Sequence, residues 1–279
     1  MEITRFAPSP TGYLHVGNAF SALFAARHGQ RFLLRLEDID PQRCKPVYEQ
    51  ALYEDLQWLG LTWEEPVRSQ SRHFAEYQLA LDKLSAQGLL YPCFCTRQDI
   101  QRAGGAPQGD YGPLYPGTCR HLQADEVTAR MQAGQAYALR LKVDDSMART
   151  GPLYWHDRAK GKQLAQPQAH GDVVLARTLR GVSGDNALMP ASYHLCVTHD
   201  DALQGITLVT RGEDLFGSTH IHRLLQALLG LPVPEYWHHP LINDETGTRM
   251  AKRAGAKTLR DLKAEGVSAA QLIARLPSL

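Results

Sequence analysis

The opening of the chain allows few folds. Ile3 to Phe6 is a short apolar run, residues 17–28 place Ala19, Phe20, Leu23 and Phe24 at helical spacing, and Arg31 to Leu36 (RFLLRL) is apolar again. Gly29 stops the intervening helix. Strand, helix and strand in so short a span make a βαβ unit, hence two parallel strands with a right-handed crossover. Ligands of such sheets bind outside the carboxyl ends of the strands. Arg5, Ser9, His15 and Glu37 all fall at that edge.

Helices are expected over 46–59 and 72–87, the second capped by Ser71 and ended by Gly88. Residues 104–119 hold five glycines and three prolines without periodicity, a long loop of the kind that binds something. Strands are expected at Tyr137–Val143, Leu153–His156 and Asp172–Leu175, then at Tyr193–Thr198 and Ile206–Arg211. A helix follows from Ser218 to Leu229. Thr258 to Leu276 reads as two short helices capped by Thr258 and Ser268. The expected division is an α/β domain split between 1–90 and 191–245, an inserted α/β subdomain at 91–190, and a loop with C-terminal helices at 246–279. No internal repeat is visible.

A formal charge of +1 argues against a broad non-specific nucleic-acid binder, so any RNA contact has to be a local patch. The apolar stretch Ala19 to Ala26 is interrupted by Ser21 and too short to span a bilayer. The chain begins at once in a strand-like pattern rather than a signal peptide, so a cytoplasmic protein is expected. Cys93, Cys95 and Cys119 cluster, while Cys44 and Cys196 stand apart. In that compartment a thiol cluster suggests metal before disulfide. Structural zinc takes four ligands, and Tyr115, His121 and Tyr111 are candidates for the fourth. Trp58, Trp63 and Trp155 read as packing, His238 and His239 as structural, and Cys196 as a core thiol in a strand.

Two further features carry chemistry. His15-Val16-Gly17-Asn18 opens the first helix after the turn Ala7-Pro8-Ser9-Pro10-Thr11-Gly12. Unpaired N–H groups at a helix start, with an imidazole beside them, suit a triphosphate. Lys252 lies in Arg249-Met250-Ala251-Lys252-Arg253 between Gly247 and Gly255, a loop able to close over phosphates, and only 27 residues follow it. Arg5, Glu37, Tyr193 and Arg211 form the set a diacidic amino acid needs: a carboxylate for its ammonium and a guanidinium fork for its side chain. A surface ion network involving Asp38 and Asp40 would use the same residue types.

These segments resemble the class I aminoacyl-tRNA synthetases, specifically the glutamyl branch. RFAPSPTGYLHVGNA (5–19) with LRLEDID (34–40) looks like that branch's opening, VTRGEDL (209–215) is similar to its second sheet signature, and RMAKR stands where the family has its lysine-serine-lysine loop. The resemblance implies an α/β class I synthetase-type Rossmann fold with a parallel sheet, an inserted zinc-containing α/β subdomain and a short helical C-terminal segment. Within the branch, the short stretch after the lysine loop, the Cys93-x-Cys95…Tyr115-x-x-x-Cys119 pattern and a reduced acceptor-gripping segment resemble the truncated paralogues that act on queuosine. That implies ATP-dependent activation of L-glutamate without tRNA, then transfer to queuosine in the anticodon of tRNA(Asp). The alternatives are a truncated synthetase charging the tRNA 3′ end, or a non-enzymatic sensor of glutamate or ATP.

By position, Arg5, Phe6, Ala7, Pro8, Ser9, Glu37, Tyr193 and Arg211 would bind glutamate. His15, Gly17, Asn18 and Lys252 would bind ATP, with His15 and Lys252 acting in catalysis. Cys93, Cys95, Tyr115 and Cys119 would hold one structural Zn²⁺, and Mg²⁺ would travel with ATP. Arg249 and Ala251 depart from the family's first lysine and its serine. A monomer without membrane contact is expected.

Overall fold

The structure, a computed structural model, describes residues 1–103, 114–178, 190–242 and 257–278. Strand β1 (Ile3–Phe6), helix α1 (Val16–His28) and strand β2 (Arg31–Leu36) form the expected unit, with β1 and β2 parallel. β2 is buried along nearly its whole length. Its alternate residues serve opposite faces. Phe32, Leu34 and Leu36 pack with α1 and α2 (Pro46–Trp58), whereas Leu33 lies in a different cluster. The first layer is completed by the C-terminal helices α9 (Leu259–Ala264) and α10 (Ala269–Arg275), whose Leu259 and Leu272 are buried in it. Thr258 and Ser268 cap these helices as expected, each in a reciprocal capping box.

β3 (Glu64–Ser69) adds to β2 in parallel. It was not anticipated, because EEPVRS is mostly polar and exposed, as an edge strand can be. Helix α3 (Phe74–Ala86) starts later than expected. Ser71 does not cap it: its hydroxyl donates to Asp38, 2.5 Å away, tying this connection to the end of β2. Gly88 does follow the helix, at φ +72°.

The segment after α3 forms a small antiparallel sheet of β4 (Leu90–Cys93), β5 (Ala138–Leu141) and β8 (Val174–Arg177), with helices α4 (Arg97–Arg102), α5 (Ala124–Gln132) and α6 (Val143–Thr150). The expected strand to Val143 is two residues too long, since Val143 opens α6. Asp172 is not in a strand but accepts from the Val143 N–H at 2.9 Å and the Tyr91 hydroxyl at 2.7 Å. The hairpin of β6 (Tyr154–Asp157) and β7 (Gly161–Leu164), which lies within 91–190, joins another sheet. There β6 runs parallel to β10 (Glu235–His239), which runs parallel to β9 (Leu208–Gly212). The Thr207 N–H donates to the Ile3 carbonyl at 3.0 Å, bringing β9 alongside β1.

The main correction concerns residues 193–198. They begin helix α7 (Tyr193–Leu203), not a strand, so Cys196 is a core thiol on a helix. The reason is burial almost all round: Leu195, Cys196, Val197, Thr198, Asp200 and Asp201 are all covered. A run buried at consecutive positions reads as readily as a buried strand as a helix. It packs with α3 and with α8 (Ser218–Leu229) in the second hydrophobic cluster. No helix among the described residues is long and apolar enough to cross a membrane.

Candidate functional site

The carboxyl ends of β1, β2, β9 and β10 open on one cleft of about 270 Å³. Arg5, Phe6, Ala7, Pro8, His15, Gly17, Asn18, Glu37, Tyr193 and Arg211 line it together. Ser9 does not; it is exposed on the turn beyond Pro8. Arg249, Ala251, Lys252 and the flanking Gly247 and Gly255 lie outside the described residues. Tyr193 reaches the cleft from the first turn of α7 rather than from a strand end.

His15 is the N-cap of α1, and its Nδ1 accepts the Gly17 N–H at 3.1 Å. The Asn18 side-chain oxygen accepts the His15 N–H at 3.2 Å in return, a reciprocal cap. With Nδ1 used as an acceptor, the neutral imidazole carries its proton on Nε2. The side chain is thereby fixed as a donor at a helix N-terminus, where anions are favoured. The Leu259 N–H donates to the Leu14 carbonyl at 2.8 Å, so the C-terminal helices are tied to this turn.

Arg5 and Arg35 are buried and share one carboxylate that the sequence reading missed. Asp201 of α7 accepts from Arg5 Nε at 2.9 Å and from Arg35 Nη2 at 2.7 Å. The Asp38 and Asp40 carboxylates are not the partners. Burial pushes the Asp201 carboxyl up, but Arg5 and Arg35 outweigh it and hold the group below the usual range. Glu37 sits 3.8 Å from Arg35 with its side chain 11% exposed. Burial dominates there and lifts its pKa to about 7 against the pull of Arg35 and Arg5.

Arg211 has a different shell. Its Nε donates to His238 at 3.1 Å, Nη1 to the Tyr193 hydroxyl and to His222 Nδ1, both at 3.2 Å, and Nη2 to the Thr219 hydroxyl at 2.5 Å. Every one of these acceptors is neutral. Burial, reinforced by Arg211, drives His238 down to about 3 and His222 well below the ordinary imidazole range. His238 therefore touches a candidate binding residue, and His239 lines the cleft itself. Of the two histidines expected to be structural, His239 lines the cleft and His238 supports Arg211 from outside it. At Gly212 beside it, a Cβ would come within 2.5 Å of an Asp214 carboxylate oxygen, so that side chain would have to shift.

Away from the cleft, the Cys93, Cys95 and Cys119 sulfurs lie within 4.8 Å of one another. Cys95 Sγ is 3.5 Å from Cys119 Sγ and 3.7 Å from the Tyr115 hydroxyl. Sulfurs bound to one tetrahedral zinc stand about 3.8 Å apart at Zn–S bonds of about 2.3 Å, so this donor set can hold the ion. Burial raises the Cys93 thiol, but hydrogen bonds from Tyr115 and Arg140 more than offset it and leave the pKa lowered. His121 is exposed and not in the cluster, and Tyr111 lies outside the described residues. A second, larger cleft of about 900 Å³ runs from this module to the first cleft, with Arg97, Tyr115, Arg140, Arg177, Tyr193 and His194 among its lining. Tyr193 lines both.

Residues 3–277 match the family model described as tRNA synthetases class I (E and Q), catalytic domain. A glutamyl-Q tRNA(Asp) synthetase of Rhodobacter capsulatus is 48% identical, over 97% of this chain and 98% of that protein. A glutamate–tRNA ligase of Aquifex aeolicus is 41% identical over 94% of this chain but only 54% of its own length. Among solved structures, a glutamate tRNA ligase from Elizabethkingia meningosepticum, in complex with its amino acid, superposes with a TM-score of 0.70. It shares 28% identity, and this chain spans about half of it, 53%.

Proposed function

The chain belongs to the class I tRNA synthetase family for glutamate and glutamine, and on that premise we propose that it activates L-glutamate with ATP, without RNA present, and transfers it to queuosine in the anticodon of tRNA(Asp). The observation that carries the first half is the convergence of Arg5, Glu37, Tyr193, Arg211 and His15 on one cleft. The second half is supported by near-complete coverage of a relative named for that substrate. The adjoining cleft of about 900 Å³, lined by three arginines and two aspartates, adds room for a nucleotide beside the glutamate pocket.

In this reading Glu37 receives the substrate ammonium and Arg211 its side-chain carboxylate. The α-carboxylate of glutamate attacks the α-phosphate of ATP in line, forming the glutamyl-adenylate as pyrophosphate leaves. His15 donates from Nε2 to the phosphates, and the start of α1 adds its dipole, offsetting charge on the leaving group. Lys252, outside the described residues, is assigned the same task from sequence. Mg²⁺, when bound, would neutralise the phosphates and is held mainly by them and by water. A hydroxyl of the queuosine ring then attacks the mixed anhydride, its proton passing to the adenylate phosphate, the ester forms, and AMP departs with the electron pair of the broken C–O bond. No protein nucleophile is needed. A zinc ion on Cys93, Cys95, Tyr115 and Cys119 would be structural, since four protein ligands leave no open position.

Exchange of pyrophosphate into ATP, measured without RNA across glutamate, glutamine and aspartate, tests the reading. Exchange with glutamate alone is expected. No exchange with glutamate would remove the proposal.

A further inference from the structure

Three buried arginines approach the amino-acid cleft, and they are not equivalent. Arg5 and Arg35 share Asp201. Arg211 is equally buried, yet no carboxylate among the described residues lies within ion-pair distance of it. Burying a guanidinium without a counter-charge is costly unless its N–H groups are satisfied and a charge arrives later. Four N–H contacts go to neutral acceptors, and two of those acceptors are imidazoles whose second nitrogens are also fixed.

The hydrogen-bond directions settle both tautomers. His238 Nδ1 lies 2.6 Å from Asp157, so it carries the proton and Nε2 offers its lone pair to Arg211. Asp157 is itself held by the Ala159 and Lys160 N–H groups, both at 2.9 Å. Its carboxylate therefore bonds to the His238 ring and not to Arg211. His222 accepts from Arg211 at Nδ1, so its Nε2 bears the proton and donates to His194 Nδ1 at 3.2 Å. Both imidazoles face a cation, which forbids a second proton on either.

We propose that His222 and His238 are specificity-determining positioning residues: they clamp Arg211 with neutral lone pairs, holding its fork in place while leaving its charge available to a carboxylate on the bound amino acid. A carboxylate in either position would have fixed the guanidinium equally well and cancelled its demand for an acid. A neutral amide side chain on the substrate leaves the buried charge uncompensated, so the shell selects the acid over the amide. The inference rests on glutamate being the substrate.

The test compares His222→Asn with His222→Asp. Both place an acceptor oxygen toward Arg211 in nearly the same volume, and only Asp adds charge. In glutamate-dependent pyrophosphate exchange, the KM for glutamate of H222D is expected to exceed that of H222N by on the order of 10- to 100-fold, with a much smaller change in kcat. Inhibition by glutamine is expected to strengthen in H222D relative to H222N. Equal KM values in the two variants would overturn the proposal and leave His222 as packing. Should H222D fail to fold, ¹⁵N spectra of the wild-type imidazoles decide. Neutral His222 protonated on Nε2 and neutral His238 protonated on Nδ1 support the clamp, and an imidazolium or the opposite tautomer at either refutes it. Those spectra need no substrate, so wild-type protein inert toward glutamate would count against the proposed function and not against the clamp.

Discussion

Replacing Glu37 by Gln should make the empty protein more stable and the enzyme worse. Burial lifts the Glu37 carboxyl from 4.5 to about 7. A shift of that size corresponds to about 3 kcal/mol. A raised carboxyl pKa means that the folded state holds its proton more tightly than the unfolded chain. Stability is therefore unaffected by this group below about pH 4.5, falls as the pH rises toward 7, and carries the full deficit above that. E37Q removes the deficit, so urea denaturation at about pH 8 should show it more stable than wild type by up to about 3 kcal/mol. At about pH 5 the gain should shrink to under about 1 kcal/mol. Function should move oppositely, since only the ionised carboxylate attracts an ammonium. Between about pH 6 and pH 8 the ionised fraction rises roughly tenfold for a pKa near 7. Wild-type KM for glutamate should fall by a similar factor, while E37Q shows a higher and pH-flat KM. A stability difference between E37Q and wild type that is the same at both pH values, or a pH-independent wild-type KM, would refute the reasoning.

The remaining expectations are briefer. Asp201→Asn leaves Arg5 and Arg35 buried without their shared carboxylate and should cost about 3–5 kcal/mol, read by chemical denaturation. Gly29→Ala would set a Cβ 2.1 Å from Thr4 Oγ1 and 2.7 Å from the Arg31 carbonyl oxygen, so β1 and β2 must give way. A loss of about 1–3 kcal/mol is expected, and unchanged stability would show that the turn relaxes freely. Metal analysis of purified protein should find one zinc per chain, lost in the Cys93→Ser/Cys95→Ser double variant together with thermal stability of the 90–141 region. A metal-free wild type of equal stability would contradict the structural assignment.

How much of this was legible beforehand follows from what each residue does. The opening unit was readable because Ala19, Phe20, Leu23 and Phe24 fall at helical spacing before Gly29, and β2 is apolar apart from Arg31 and Arg35. Its position at the strand ends also located Arg5, His15 and Glu37. α7 was not readable as a helix, because the consecutive buried residues Leu195 to Thr198 read equally well as a buried strand. That error hid Asp201, whose importance depends on Arg5 and Arg35 meeting it from β1 and β2, across some 166 to 196 residues of chain. The role of His238 was hidden for a related reason. Its meaning comes from Asp157 on β6 and Arg211 on β9, which only the assembled sheet brings together. β3 escaped because an exposed polar edge strand carries no hydrophobic signal. By contrast the cysteine cluster was visible from spacing alone, and the Tyr115 hydroxyl stands 3.7 Å from Cys95 Sγ, whereas His121 is outside the cluster.

The most direct measurement of the central claim is transfer of labelled glutamate to two forms of tRNA(Asp), one carrying queuosine in its anticodon and one the same transcript carrying guanosine. The account requires stable label on the queuosine form and none on the guanosine form, both having intact 3′ ends. Equal labelling of the two would place the ester on the terminal ribose and contradict it.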